Sequence, residues 1–375
     1  MDMTKKITFN DVKGCVDVFT RLNCLRRWTD FATQQKYTEL SKQALNTMIA
    51  FFIANTEEHA GKSICYEQFP KIAINRAFTK VYVYYDTPEH KLNEICELSG
   101  ISKKEFQRVT VSIIAEKTDE NFAEFISHGI GEYESRIYQA ATKIATYIEL
   151  LEQKNCSNEF VKFQEIERSL EAYRDIPAVR EFTNTESAFF KLFQKLSKLR
   201  NQNRWATCCY NIECSVLGHL FDTAVFAYLM ALDERDFDEE YATRMFFMGI
   251  FHDVAEVWTK DIPSPIKDKI PGFRKATEQY EEEMLKKYLY SVVPEYLADA
   301  LKTVMFEDES NAAYKKKVKE ADYLSADCEC YRNLVAGTRD TYFVNAITRK
   351  LNDDATELYL EVHKYFENYA QKLNL

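Results

Sequence analysis

The residues best equipped for chemistry lie where an apolar run stops. Met245-Phe246-Phe247-Met248-Gly249-Ile250-Phe251 leads into His252 and Asp253, Glu256 follows within one helical turn, and Pro263-Ser264-Pro265 breaks any continuing helix. With Asp261, that places an imidazole and three carboxylates at the end of a buried helix, where each must be hydrated, paired or bound to a metal. Upstream, His219 sits in an apolar helical segment on the line of Ser215, Thr223 and Ala227, and these small residues leave room beside its ring. Downstream, Asp322 lies among apolar and small residues in a third helical segment, 318–326. His219, His252, Asp253 and Asp322 thus form a hard-to-borderline ligand set suited to one divalent cation, with Mn, Co, Fe or Mg favoured over soft metals.

The elements that carry these residues are helices. Only 9 Gly and 7 Pro in 375 residues disfavour a turn-rich β protein, and the length suits two or three domains. Hydrophobic content of 46% with 29% charged residues is that of a soluble globular chain. A net charge of −10 argues against a nucleic-acid polymer as partner, because that requires a basic surface, yet leaves a small nucleotide substrate open. The 10 Cys include no Cys-x-x-Cys pair. The start lacks an apolar signal segment and no apolar run approaches membrane-spanning length, so the expectation is a cytoplasmic protein with reduced thiols and no membrane association. Neither a Walker pattern nor Gly-x-Gly-x-x-Gly occurs.

The order His219, His252-Asp253, Asp322 resembles the HD superfamily of metal-dependent phosphohydrolases. With Arg204-Trp205 upstream, Glu256 after the His-Asp pair, and Asp261-Ile262-Pro263-Ser264-Pro265, it is similar more narrowly to the bacterial HD-domain 5'-deoxynucleotidases. The resemblance covers residues 187–351, a little under half of the chain. Two positions depart from the family pattern: Gly218 stands where a Glu usually precedes the first His, and Lys260 replaces the Gly before Asp261.

The resemblance implies an all-α HD-domain helical bundle that hydrolyses the phosphate of (deoxy)nucleoside 5'-monophosphates. Glu256 would orient or deprotonate the attacking water, and Asp261 would protonate the leaving oxygen if its apolar neighbours Trp258 and Ile262 raise its pKa. Arg204 would pair with the substrate phosphate, Trp205 would pack on the sugar, and Lys267 is a further phosphate candidate. Other HD phosphohydrolase activities, on a triphosphate or cyclic nucleotide, and a non-catalytic nucleotide-sensing or scaffold role are the alternatives.

The N-terminal half echoes this pattern without its ligands. Arg27-Trp28 matches Arg204-Trp205, Tyr85-Asp86 with Glu89 sets against His252-Asp253 with Glu256, and Ala141-Thr142 sets against Ala321-Asp322. Lys42 falls where the first His would be. The chain is therefore expected to be a tandem of a degenerate HD-like lobe (1–151), a helical linker (152–184) and an intact HD domain (185–375). Since HD 5'-deoxynucleotidases resemble one another in dimerising, such a chain would be an intramolecular pseudo-dimer or a homodimer. His59, His90, His128 and His363 are expected at the surface.

Overall fold

A computed structural model describes residues 6–29, 33, 35–153, 160–235, 237–262, 264–305, 312–349 and 356–373. Residues 154–159 of the expected helical linker lie outside them. The described residues are predominantly helical, as the scarcity of Gly and Pro implies. In chain order the helices are α1 (Phe9–Cys24), α2 (Glu39–His59), α3 (Gln68–Thr79), α4 (Glu89–Leu98), α5 (Lys103–Ala115), α6 (Glu120–Ser127) and α7 (Glu132–Gln153). They continue as α8 (Phe160–Glu171), α9 (Pro177–Thr183), α10 (Ala188–Leu196), α11 (Val216–Glu234), α12 (Glu239–Phe251) and α13 (Glu256–Thr259). The chain ends with α14 (Ser264–Lys269), α15 (Phe273–Tyr288), α16 (Glu295–Val304), α17 (Ala312–Val335), α18 (Thr341–Ile347) and α19 (Glu357–Lys372). The one sheet among the described residues is a short antiparallel ribbon of β1 (Asn203–Arg204) and β2 (Cys214–Ser215), pairing Asn203 with Ser215.

Two helices, α2 and α11, form the centre. Both are apolar around most of their circumference and almost wholly buried, the pattern of a helix surrounded by others. Each begins on a hydroxyl cap: Thr38 accepts from the Ser41 amide at 3.3 Å, and Ser215 accepts from the Gly218 amide at 3.1 Å. They pack against each other across the middle of the molecule, with Ser41 Oγ 2.9 Å from Ser215 Oγ. A single apolar core runs through both halves, and Phe52–Phe193 and Phe51–Phe251 ring contacts (4.8 and 5.2 Å) bridge them.

Helix α11 is long and apolar enough by composition to cross a membrane, contrary to the expectation that no run reaches that length. Its residues are buried by neighbouring helices, which explains the apolar composition without a lipid environment.

The structure also corrects the placement of His363. Its ring is 4% exposed, its Nδ1 is 2.8 Å from Asp327 Oδ2, and it lies parallel to Tyr359. The reason is helical phase. His363 falls one turn after Tyr359 and beside Val362 and Phe366, on the stripe that α19 turns toward α17. His59, His90 and His128 are exposed, as expected.

Candidate metal centre

Three helices bring the predicted ligands to one point. His219 comes from the first turn of α11, where Ser215 fixes the helix start. His252 and Asp253 lie in the turn that ends α12, and Asp322 projects from the middle of α17. Gly249 lets α12 approach α11: a Cβ there would lie 2.7 Å from Ala224 Cα. The Gly249 carbonyl, 2.7 Å from His252 Nδ1, fixes this nitrogen as the N–H donor and leaves Nε2 as a lone-pair donor.

One ligand atom from each of His219, His252, Asp253 and Asp322 lies within 4.8 Å of the others. His219 Nε2 is 2.9 Å from Asp322 Oδ1, and His252 Nε2 is 3.1 Å from Asp253 Oδ2 and 4.0 Å from Asp322 Oδ1. Metal–ligand bonds of about 2.0–2.2 Å require adjacent ligands roughly 3 Å apart and opposite ones roughly 4 Å apart. The observed separations fit. His252 Nε2 is moreover buried without a hydrogen bond. The group can hold a divalent metal ion.

The electrostatics favour a cation. Burial and Arg204 both oppose protonation of His219, yet Glu329 and Asp322 outweigh them and raise its pKa to about 9. Despite burial, Asp253 and Asp322 are held well below the usual carboxylate range, chiefly by His252 and by Lys319 respectively. Glu256 behaves oppositely. It is 7% exposed, its Oε2 has no hydrogen-bond partner, and burial with Asp253 and Asp261 nearby pushes its pKa well up. Two kinds of carboxyl group therefore stand side by side, one set held ionised and one favouring a proton.

The remaining sequence candidates are spread around this point. Arg204 donates Nε to Glu329 Oε2 at 2.9 Å, and its positive charge is also felt by Asp322, Glu256 and Asp253. Trp205 adopts φ +59°, donates Nε1 to the same oxygen at 2.8 Å, and packs edge-on against Tyr342 and Phe343. Asp261 is exposed, although close enough to bias Glu256. Lys267 is half-buried and acts on Glu281.

Sequence reasoning missed Glu329 and Lys319. Glu329 is fully buried, lies 3.3 Å from His219 Nδ1, and is held down to about 2 by Arg204 and His219 against its burial. It stands seven residues after Asp322, two turns along the same face of α17, a spacing that could have revealed it. A Cβ at 218 would lie 3.1 Å from Leu40 Cδ2 of α2, closer than an ordinary contact. Lys319, one turn before Asp322, is ion-paired with it.

The N-terminal half repeats the Arg-Trp-Glu arrangement. Arg27 Nε and Trp28 Nε1 each lie 2.9 Å from Glu149 Oε2, and Trp28 has φ +61°. Arg26 bridges Thr38 as Asn203 pairs with Ser215. Lys42 follows Thr38 by four residues, as His219 follows Ser215, and Thr142 precedes Glu149 by seven, as Asp322 precedes Glu329. Thr142 Oγ1 donates to the Tyr138 carbonyl at 2.9 Å.

An all-α bundle with two His and two Asp gathered around a buried Glu defines a hydrolase of the HD class. The sequence model of the 5'-deoxynucleotidase YfbR-like family matches residues 191–373. The 5'-deoxynucleotidase YfbR of Shigella boydii serotype 18 is 32% identical over 162 residues, 42% of this chain and 78% of that protein. The protein of the same name from Shigella dysenteriae serotype 1 is 30% identical over 188 residues, 49% and 92% of the two chains, and that of Escherichia coli K12 is 32% identical over 162, 42% and 78%. The chain belongs to the YfbR-like family and is a phosphohydrolase at that level.

Proposed function

We propose that the C-terminal half removes the phosphate from nucleoside 5'-monophosphates, with deoxy forms preferred, in the cytoplasm and with one divalent ion held by His219, His252, Asp253 and Asp322. The observation that carries this reading is the four-ligand cluster beside a buried, unpartnered Glu256 carboxyl. A divalent ion there supplies a water of lowered pKa and offsets charge on the phosphoryl group. Glu256 takes or steers the proton of the attacking water, and its burial beside Asp253 and Asp261 raises its affinity for that proton. Arg204 gives only its Nε to Glu329 among the described residues, which leaves its outer nitrogens for the substrate phosphate. Trp205, anchored by Glu329, sets the wall beside the sugar, and Lys267 can meet the phosphate at the rim. Asp261, exposed two residues beyond α13, would protonate the leaving oxygen once bound substrate covers it and excludes water.

The matched element order around the two Arg-Trp-Glu clamps supports reading the N-terminal half as a second copy that has lost its ligands. That copy then stands where a second subunit would, and the chain works as a monomer.

A screen of phosphate release from ribo- and deoxyribonucleoside mono-, di- and triphosphates and cyclic nucleotides, with Mn, Co, Fe or Mg added in turn, tests the reading. Release confined to 5'-monophosphates is expected. Turnover of triphosphates or cyclic nucleotides alone would replace it with another phosphohydrolase activity, and metal binding without any turnover would replace it with a sensing role.

A further inference from the structure

The ligand cluster meets solvent through a cation. Lys319 stands one turn before Asp322 on α17, and its Nζ is ion-paired with Asp322 Oδ2. The other oxygen of that carboxylate, Oδ1, faces His219 Nε2 at 2.9 Å and His252 Nε2 at 4.0 Å. Lys319 therefore takes the oxygen of Asp322 that the two imidazoles leave. Its side chain is 54% exposed where that of Asp322 is 7%, so the ammonium is open to a ligand arriving from solvent. Its stem is steered by a ring. Nζ lies 5.1 Å from the centre of Tyr323, and the Arg349 guanidinium, itself paired with Asp327, packs on the same ring at 4.8 Å.

The charges around the cluster set Lys319 apart from its other cations. Arg204 is offset by the buried Glu329, to which it donates at 2.9 Å. Lys267 acts on the carboxylate of Glu281. Lys319 has Asp322 as its ion-pair partner among the described residues, and its charge is next felt most by Asp253. Both of these carboxylates belong to the metal-ligand set. With Asp253 and Asp322 offset by a divalent ion, Lys319 is left without a counter-charge of its own. An ammonium has three N–H donors, so one can stay on Asp322 while another meets a phosphate oxygen.

We propose that Lys319 is a phosphate-binding residue of the C-terminal site, held by Asp322 until the ligands take up their metal ion and then shared with a phosphate oxygen of the substrate. The inference rests on reading the cluster as a metal-dependent phosphomonoesterase. It makes the binding of metal and of phosphate favour each other, with Lys319 as the link.

Calorimetric titration of the full chain, first with manganese alone and then, once loaded, with inorganic phosphate, tests it. Lys319→Met should weaken phosphate binding at least about tenfold, the scale of losing a hydrogen bond from a charged group. Manganese binding should be unchanged or tighter, because a like charge beside the ion is gone. Lys319→Arg should keep most of the phosphate affinity, and neither substitution opens the core, since the side chain is exposed. A loss of less than about threefold in Lys319→Met, no more than an exposed ion pair contributes, would overturn the proposal. So would manganese binding that collapses in Lys319→Met, which would make the lysine a support for Asp322 alone. Equal loss of phosphate affinity in Lys319→Arg would overturn it too, by showing that the charge is not what binds. Phosphate release from dAMP by the parent chain is measured alongside. Turnover by the parent with unchanged phosphate binding in Lys319→Met sinks this assignment alone, whereas a parent that binds no manganese sinks the reading beneath it as well.

Discussion

The two halves hold the same clamp around opposite charges. Arg204, Trp205 and Glu329 at one end and Arg27, Trp28 and Glu149 at the other share hydrogen bonds, a positive φ at Trp, and the position of the clamp before a capped central helix. What differs is the group one turn into that helix, His219 against Lys42, and the group two turns before the glutamate, Asp322 against Thr142. A point that can hold a cation and a point that bears one thus occupy similar scaffolds. The contrast teaches that the clamp is a structural device which positions the central helix and does not by itself define a metal site.

The sharpest way to break this contrast is to remove a ligand. Asp253→Ala and His252→Ala should abolish both metal content and phosphate release, since loss of a ligand disrupts metal geometry and water activation together. Asp86→Ala, in the N-terminal half, should change neither. Elemental analysis with an activity assay reads both, and full metal occupancy with full turnover in the Asp253 and His252 variants would sink the site assignment. Next in size is Glu256→Ala, expected to keep the metal and lose about 10²- to 10⁴-fold in turnover, the usual range for general acid-base assistance. Activity within about threefold of the parent would reduce Glu256 to a structural residue.

The clamp itself separates the halves. Glu329→Gln should weaken metal affinity by about 10- to 100-fold, because Glu329 orients His219 and adds negative charge behind it. Glu149→Gln should leave metal affinity unchanged and instead lower stability by about 3–5 kcal/mol, since Arg27 and Arg200 lose a buried counter-charge. Metal titration and urea unfolding distinguish the two. Equal effects on metal affinity would mean that the halves are coupled through the core and not independent. The tryptophans follow the same logic at smaller scale. Trp205→Ala should raise the ratio of ribo- to deoxyribonucleotide hydrolysis roughly tenfold, for a crowded and unpartnered 2'-hydroxyl costing about 1–3 kcal/mol. Trp28→Ala should leave the ratio unchanged, and equal loss on both sugars in the Trp205 variant would make that ring ordinary packing.

Much of the candidate site was legible because His219 lies in an apolar helix and His252 and Asp253 lie at the end of another, where a charged residue has few other reasons to be. Asp322, on a charged helix, was picked out by its place in the family pattern. Glu329 does not stand out, because it lies between two cysteines in a charged helix and its burial depends on Arg204 arriving from over a hundred residues away. The buried pair of Asp222 and Arg332 is hidden for the same reason: each is neutralised by a residue on another helix. His363 was misplaced by weighing its polarity over its phase on α19. The all-helical class needed only the scarcity of Gly and Pro, whereas the close approach of Leu40 to position 218 required the packing of α2 on α11.

The smallest predicted effect concerns Lys260, where the family pattern has glycine. The residue adopts φ +66° and ψ 163°, a region that side chains with a Cβ occupy at a cost of about 1–3 kcal/mol. Its amide still donates to the Glu256 carbonyl at 2.9 Å, a bond that substitution would not remove, and its side chain is exposed. Glycine would relieve the strain but add about 0.5–1 kcal/mol of unfolded-state entropy. Lys260→Gly should therefore stabilise the chain by about 1 kcal/mol, the difference of these terms, with metal content unchanged. The N-terminal half offers a counterpart in Tyr85, whose φ of +49° and ψ of −123° are also glycine-favouring and whose ring is 63% exposed. Tyr85→Gly should give a similar gain, because neither strain depends on a bound metal. If urea unfolding shows a gain at Tyr85 but a loss at Lys260, the lysine side chain must make contacts near the metal centre that outweigh its backbone strain.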